Sequence, residues 1–153
     1  MSYSFRDYRP ADQDGCIAVF RSNIPEFFSE SELQEFLDFL KRLPGRYGVV
    51  TDEDGRIVAC GGIARSRTDP EGADLTWGMV ERSLHHRGIG RVLTEGRLEW
   101  VRQMPDIRVA HLNTSHLTED FYKKLGFVTT KYIPHGYRQD LHRCDMEWRG
   151  NLS

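Results

Sequence analysis

The sequence predicts an α+β fold on a mixed sheet, and three observations carry that expectation. Segments with alternating apolar and polar residues interleave with segments of helical apolar spacing, in the order β-α-α-β-β-β-α-β-α-β-β. Gly, Pro and Asp punctuate the joins, and no repeat, low-complexity tract or linker interrupts the 153 residues, so one domain over 1–153 is expected. The composition, 39% hydrophobic and 29% charged, suits a chain that buries one ordinary core rather than crossing a bilayer or staying unfolded.

Ser4 to Tyr8 alternates ahead of Pro10 and reads as a short edge strand. From Asp12, the helical spacing of Cys16, Val19 and Phe20 continues until Pro25 stops it. Ser29 and Glu32 have the capping-box spacing, and Leu33, Phe36, Leu37 and Leu40 form the stripe of a second helix that ends before Pro44-Gly45. Strands are expected over Tyr47–Thr51, Arg56–Ala64 and Asp74–Val80, joined through Asp52-Glu53-Asp54-Gly55 and Asp69-Pro70-Glu71-Gly72. A helix from Gly88 to Gln103 places Ile89, Val92, Leu93, Gly96 and Trp100 on one face. After a strand over Arg108–Asn113, Thr118 is placed to cap a short helix that runs through Leu125 to a stop at Gly126. Strands Phe127–Ile133 and Leu141–Trp148 close the chain around a turn at His135-Gly136.

Charge and residue usage exclude several functions. Lys and Arg total 21 against 23 Asp and Glu, a net charge of −2, which disfavours nucleic acid as the main partner. The longest apolar runs, such as Ile57-Val58-Ala59-Cys60, are far short of the ~20 residues a membrane span needs. The first residues show no basic and apolar leader. Cys16, Cys60 and Cys144 are odd in number and widely spaced, which suits free thiols in a reducing compartment, so a cytoplasmic protein is expected. Six histidines show no metal-ligand spacing with each other or with cysteine, and no metal is expected. Cys60 reads as a small buried hydrophobe.

The most informative segment runs from Val80 to Arg91, between a strand and an amphipathic helix. Gly88 and Gly90 allow a sharp turn and a close backbone approach, and the first helical N–H groups face outward at the positive end of the dipole. That combination binds anions, naturally a diphosphate. Arg87 and Arg91 add charge beside it, and the basic set His86, Arg87, Arg91 and Arg97 reads as phosphate contacts. The competing reading is a plain tight turn with solvated arginines. Neither a P-loop spacing nor a Gly-x-Gly-x-x-Gly in an early βαβ unit is present.

His85-His86-Arg87-Gly88-Ile89-Gly90 resembles the Gln/Arg-x-x-Gly-x-Gly/Ala signature of the GCN5-related N-acetyltransferase (GNAT) superfamily, and Phe121-Tyr122-Lys123-Lys124-Leu125-Gly126-Phe127 resembles its Phe-Tyr-x-x-x-Gly-Phe segment. The resemblance implies a mostly antiparallel sheet of six to seven strands flanked by about four helices, with acetyl-coenzyme A as co-substrate. It assigns the diphosphate cradle to His85, His86, Arg87, Gly88, Ile89, Gly90 and Arg91, and the pantetheine arm to the backbone at Val80. Three positions depart from the family pattern: His85 replaces Gln or Arg, Arg82 a common proline, and Ser115 an Asn that contacts the cofactor.

Acetyl transfer to an amine requires removal of an amine proton, a donor for the developing oxyanion and a proton for the departing thiolate. The resemblance makes Tyr122 the acid, against the alternative of a core aromatic. Asp74 stands six residues before Val80, where one branch of the family carries a glutamate base. A solvated Asp74, with the amine deprotonated through water, is the other reading. Strand alternation puts Asp74, Thr76, Gly78 and Val80 on one face, and the oxyanion donor is expected at the backbone N–H of Met79 or Val80. The resemblance gives the acceptor the loop Asn23 to Phe28 and the late turn Ile133 to Tyr137. Glu26 beside Phe27 and Phe28 could hold an ammonium group against an apolar wall, or the two phenylalanines could staple the second helix to the core.

The expected activity is acetylation of a small or amino-acid-like primary amine. The alternatives are an acyl-CoA sensor without turnover, or acetylation of a protein N-terminus or an aminoacyl-tRNA. A homodimer is left open.

Overall fold

The computed structural model describes residues 2–150. It is an α+β structure with a seven-stranded, mostly antiparallel sheet in the order β1-β2-β3-β4-β5-β7-β6 and four α-helices. The strands are β1 (Ser4–Asp7), β2 (Arg46–Thr51), β3 (Ile57–Arg65), β4 (Gly72–Val80), β5 (Val109–Ser115), β6 (Val128–Arg138) and β7 (Leu141–Trp148). The helices are α1 (Gln13–Ser22), α2 (Leu33–Arg42), α3 (Ile89–Arg102) and α4 (Glu119–Lys124). The chain contacts group into two compact units, residues 1–64 with 76–100, and residues 65–75 with 101–153.

In the first unit, β1–β2 and β2–β3 are antiparallel. Cys16, Val19, Phe20, Phe36, Leu40, Tyr47, Val49, Cys60 and Met79 form one buried cluster. The Phe20 ring stacks on Phe28 at 4.8 Å and on Phe36 at 5.4 Å, which fixes α1 and α2 on this layer. The capping-box expectation holds: Ser29 N–H donates to the Glu32 carboxylate at 2.9 Å. A second cluster joins Val50, Val58 and Ala59 to Ile89 and Leu93 of α3. Helix α3 lies close to the sheet because residue 96 is glycine, where a Cβ would sit 2.3 Å from the Phe5 ring. These contacts hold the start of α3, and with it the glycine turn.

In the second unit, β4 and β5 are parallel over Gly72–Asp74, while β5–β7 and β6–β7 are antiparallel. Val109, Leu112, Phe127, Met146 and Trp148 are buried. Arg65 and Asp106 form a two-pronged ion pair at 2.7 and 3.0 Å.

Three expectations need correction. The last turn is not at His135-Gly136: β6 continues to Arg138, with His135 at φ +58° inside a register shift between Ile133 and Arg138. Local glycine chemistry marks a bulge there rather than a reversal. Thr118 does not cap α4 through its side chain; its hydroxyl donates to the Ser115 carbonyl at 3.2 Å. In β4, Trp77 has φ +41°, which interrupts the regular extended conformation assumed for Asp74 to Val80.

Candidate active site

The glycine turn belongs to the first unit. β4 ends at Val80, a 3-10 turn covers Arg82–Leu84, and α3 starts at Ile89. His86 at φ +68° and Gly88 at φ +82° make the reversal. Gly88 is exposed, and a Cβ there would meet nothing within 4 Å, so open space lies above it. Val92 N–H donates to the Gly88 carbonyl at 3.2 Å, which leaves the N–H groups of residues 89–91 without helical acceptors. Ile89 is fully buried and anchors the turn. Arg87 is exposed beside it, and Arg91 pairs with Glu95 at 2.7 Å.

The loop ahead of the turn is fastened by partners distant in sequence. The Val80 carbonyl accepts from Asn23 Nδ2 and from His85 Nε2, both at 2.9 Å. Asn23, 2% exposed, also donates to the Val19 carbonyl and so ties the end of α1 to the end of β4. Arg82 N–H donates to Ser22 Oγ at 2.9 Å, a bond that a proline at this position could not make. The departure at residue 82 therefore exchanges ring stiffness for a hydrogen bond. His85 serves the loop by reaching back to Val80, and its ring lies 5.6 Å from Phe27.

Of the proposed acceptor residues, Glu26 is paired with Arg82 at 2.7 Å, and Phe28 packs with Phe20 and Trp77 in the core cluster. The staple arrangement thus describes Phe28, whereas Phe27 lies beside the turn. Met79 is 5% exposed within the same cluster. Arg97 does not join the basic set at the turn. It is 2% exposed, with its guanidinium against Gly61 and Gly78.

The second unit carries the other expected residues. Tyr122 lies on α4, edge-on to Phe121 at 5.0 Å and to Phe127 at 5.5 Å. Its backbone carbonyl accepts from Phe127 N–H at 3.1 Å, while its hydroxyl bonds to none of the described residues. Ser115 is 7% exposed and its Oγ has no partner among the described residues. Asp74 stands in register with His111 of β5, whose Nε2 is 2.8 Å from Asp69. Burial pushes the Asp74 carboxyl above its ordinary value; the charge of His111 opposes this and that of Asp69 adds to it.

The three cysteines are free and buried. Among the described residues no group of three or more His, Cys, Asp and Glu side chains is arranged to hold a metal ion, and no helix is long and apolar enough to cross a membrane.

Sequence reasoning missed Ser22 and placed Asn23 only in the acceptor loop, because their partners Arg82 and Val80 lie 60 and 57 residues away. It also misplaced Arg97. A signal was present there, because Arg97 falls on the apolar stripe of α3, four residues after Leu93 and three before Trp100.

Residues 14–127 match the Acetyltransferase (GNAT) family. Among solved structures, the chain is similar to a GCN5-related N-acetyltransferase from Kribbella flavida, at TM-score 0.81 and 19% identity over 97% of this chain and 98% of that one. It is similar to Ard1 from Thermoplasma volcanium, at TM-score 0.78 and 20% identity over 96% and 97% of the two chains. The ribosomal-protein-S18-alanine N-acetyltransferase from Escherichia coli matches at TM-score 0.78 and 14% identity over 99% and 96%. At these identities the likeness concerns the fold. No protein of curated function matches the chain in sequence.

Proposed function

The chain belongs to the acetyltransferase (GNAT) family, and from that premise we propose that it transfers an acetyl group from acetyl-CoA directly to a primary amine of a small or amino-acid-like acceptor. The observation that carries the reading is the start of α3, where N–H groups without helical acceptors stand beside an exposed Gly88 with open space above it. Such a terminus suits a diphosphate, with Arg87 adding charge at its edge. Ser115 is proposed as a further co-substrate residue from its place in the family pattern.

Bound acetyl-CoA supplies an activated acyl carbon: a C–N bond forms there, the C–S bond breaks, and the electron pair leaves with sulfur. Tyr122 gives its phenolic proton to that sulfur, a role suited to a hydroxyl that no described residue engages. Asp74 takes the ammonium proton, directly or through water, and the second nitrogen proton, released as the amide forms, restores the Tyr122 phenol; burial moves the Asp74 carboxyl toward the range where a base is effective. The backbone N–H of Met79 or Val80 would be the donor to the carbonyl oxygen. Phe27 and Glu26 border the acceptor, and an ammonium group would compete with Arg82 for Glu26. Buried free thiols suit a cytoplasmic setting.

A protein N-terminus is the second acceptor reading, favoured by the name of the Escherichia coli neighbour. Peptides with a free N-terminal alanine, compared with small amines, distinguish the two.

Thermal unfolding with acetyl-CoA tests the co-substrate. Ligand at about 100 times its dissociation constant stabilises by ~2.7 kcal/mol, a shift on the order of 5–10 °C for a domain of this size. The absence of any shift would remove the transferase reading and the sensor reading together.

A further inference from the structure

Three unusual features coincide on one stretch of β4, at Trp77 and Gly78. Trp77 has φ +41°, a conformation that bulky side chains rarely adopt, and Tyr47 holds it there by donating its hydroxyl to the Trp77 carbonyl at 2.9 Å. Strain of this kind clusters at functional positions. Glycine at 61 and 78 opens a slot for the Arg97 guanidinium. A Cβ on Gly78 would lie 2.7 Å from Nη1 and 2.9 Å from Nη2, and one on Gly61 would lie 3.1 Å from Nη1. Two of the three nitrogens of the guanidinium filling the slot are left unsatisfied. Its Nε and Nη2 are buried without a hydrogen-bond partner among the described residues, and no ion pair among those residues includes it.

A permanently charged group held in the interior without a counterion is strongly unfavourable to the fold. Leu or Met would continue the apolar stripe of α3 at this position without that penalty. Local rules broken at one place, with no structural compensation, point to a functional demand there. The same stretch leads into Met79 and Val80, whose backbone is the proposed oxyanion donor.

We propose that Arg97 is a positioning residue for acyl transfer, its uncompensated charge biasing the Gly78–Val80 backbone toward an oxygen that becomes negative in the reaction. As the amine attacks, an electron pair moves onto the carbonyl oxygen and returns as the C–S bond breaks. A cation in a low-dielectric interior favours that displacement over several ångströms without touching the substrate. The inference rests on the acetyl-transfer reading and adds a residue outside both sequence motifs.

The test compares Arg97→Met and Arg97→Lys with the parent protein in four measurements: melting temperature, acetyl-CoA affinity, kcat, and the isotope-edited infrared carbonyl stretch of bound acetyl-CoA. Arg97→Met should melt at the same or a higher temperature and keep donor affinity within a few fold. Its kcat should fall on the order of 10²-fold. The bound carbonyl should absorb at higher frequency than in the parent, and Arg97→Lys should recover part of both effects. An Arg97→Met protein with unchanged kcat and carbonyl frequency overturns the proposal. So does failure of both variants to fold, which would assign Arg97 to the framework. If the parent binds no acetyl-CoA, the underlying reading falls instead, so the two failures are distinguishable.

Discussion

Replacing Gly88 with Asp probes the anion cradle with little cost to the fold. Gly88 sits at φ +82°, and a Cβ built there meets nothing within 4 Å, so the penalty is confined to the backbone. For a non-glycine residue in the left-handed region that penalty is about 1–2 kcal/mol, with Asp among the residues that tolerate it best. A carboxylate just ahead of α3 recovers roughly 0.3–1 kcal/mol from the helix dipole. The unliganded variant should therefore stay within about 1 kcal/mol of the parent in stability. Against a diphosphate the same carboxylate is repulsive. One pair of unit charges about 5 Å apart at an effective dielectric near 20 repels by ~3 kcal/mol, on the order of 10²-fold in affinity. Gly88→Ala carries the backbone penalty without the charge and should bind within about tenfold of the parent. Titration calorimetry of acetyl-CoA into all three proteins, beside their unliganded melting curves, reads both quantities. Raised salt should narrow the gap between Asp and Ala, because exposed charges are screened. Equal affinity in Gly88→Asp and the parent would refute the cradle.

The other predictions divide between chemistry and stability. Tyr122→Phe should lower kcat by about 10²–10⁴-fold and leave acetyl-CoA affinity and melting temperature nearly unchanged, since the hydroxyl bonds to none of the described residues; unchanged turnover would remove it as the acid. Asp74 lies above its ordinary 3.8 through burial, so the acid limb of kcat/KM should sit above that value and vanish in Asp74→Asn. A variant that keeps the limb would assign it elsewhere. Asp12 lies below its ordinary 3.8 because Arg6 donates two hydrogen bonds to it, at 2.8 and 3.0 Å. Its stabilisation is complete above the unfolded value and is lost as pH falls through the lower folded one. Asp12→Asn should accordingly melt below the parent at pH 7, with the difference closing below pH 3.8. Phe36→Ala, at a fully buried ring stacked on Phe20, should cost about 3–5 kcal/mol in denaturant unfolding.

Local chemistry and global packing were unequally legible in the sequence. The 3-10 turn that leads into α2 was readable because Ser29 and Glu32 are partners three residues apart, and the glycine turn because its peptide geometry is encoded in the turn itself. The stripe on α3 also located its buried face, yet Arg97 was grouped with the phosphate contacts of the turn, since an arginine on an apolar stripe is ordinarily expected to carry its charge outward along its aliphatic stem. Only the facing glycines at 61 and 78 explain its burial, and no periodicity connects positions so far apart. The same limit hid Asn23 and the ion pair of Glu26 with Arg82, which join residues 56 or more positions apart. His135-Gly136 was misread for the opposite reason. Its residues favour a reversal locally, but pairing with β7 carries the strand through to Arg138.

Simultaneous assay of both products of acyl transfer separates a transferase from a protein that only binds the donor. The protein is mixed with acetyl-CoA and a panel of small primary amines, amino acids and N-terminal peptides, and free thiol and acetylated amine are followed together. Equal amounts of both are expected with at least one acceptor, and no stable acetylated protein when the amine is omitted. Tight binding of acetyl-CoA without turnover on any acceptor would contradict acyl transfer and leave a sensor.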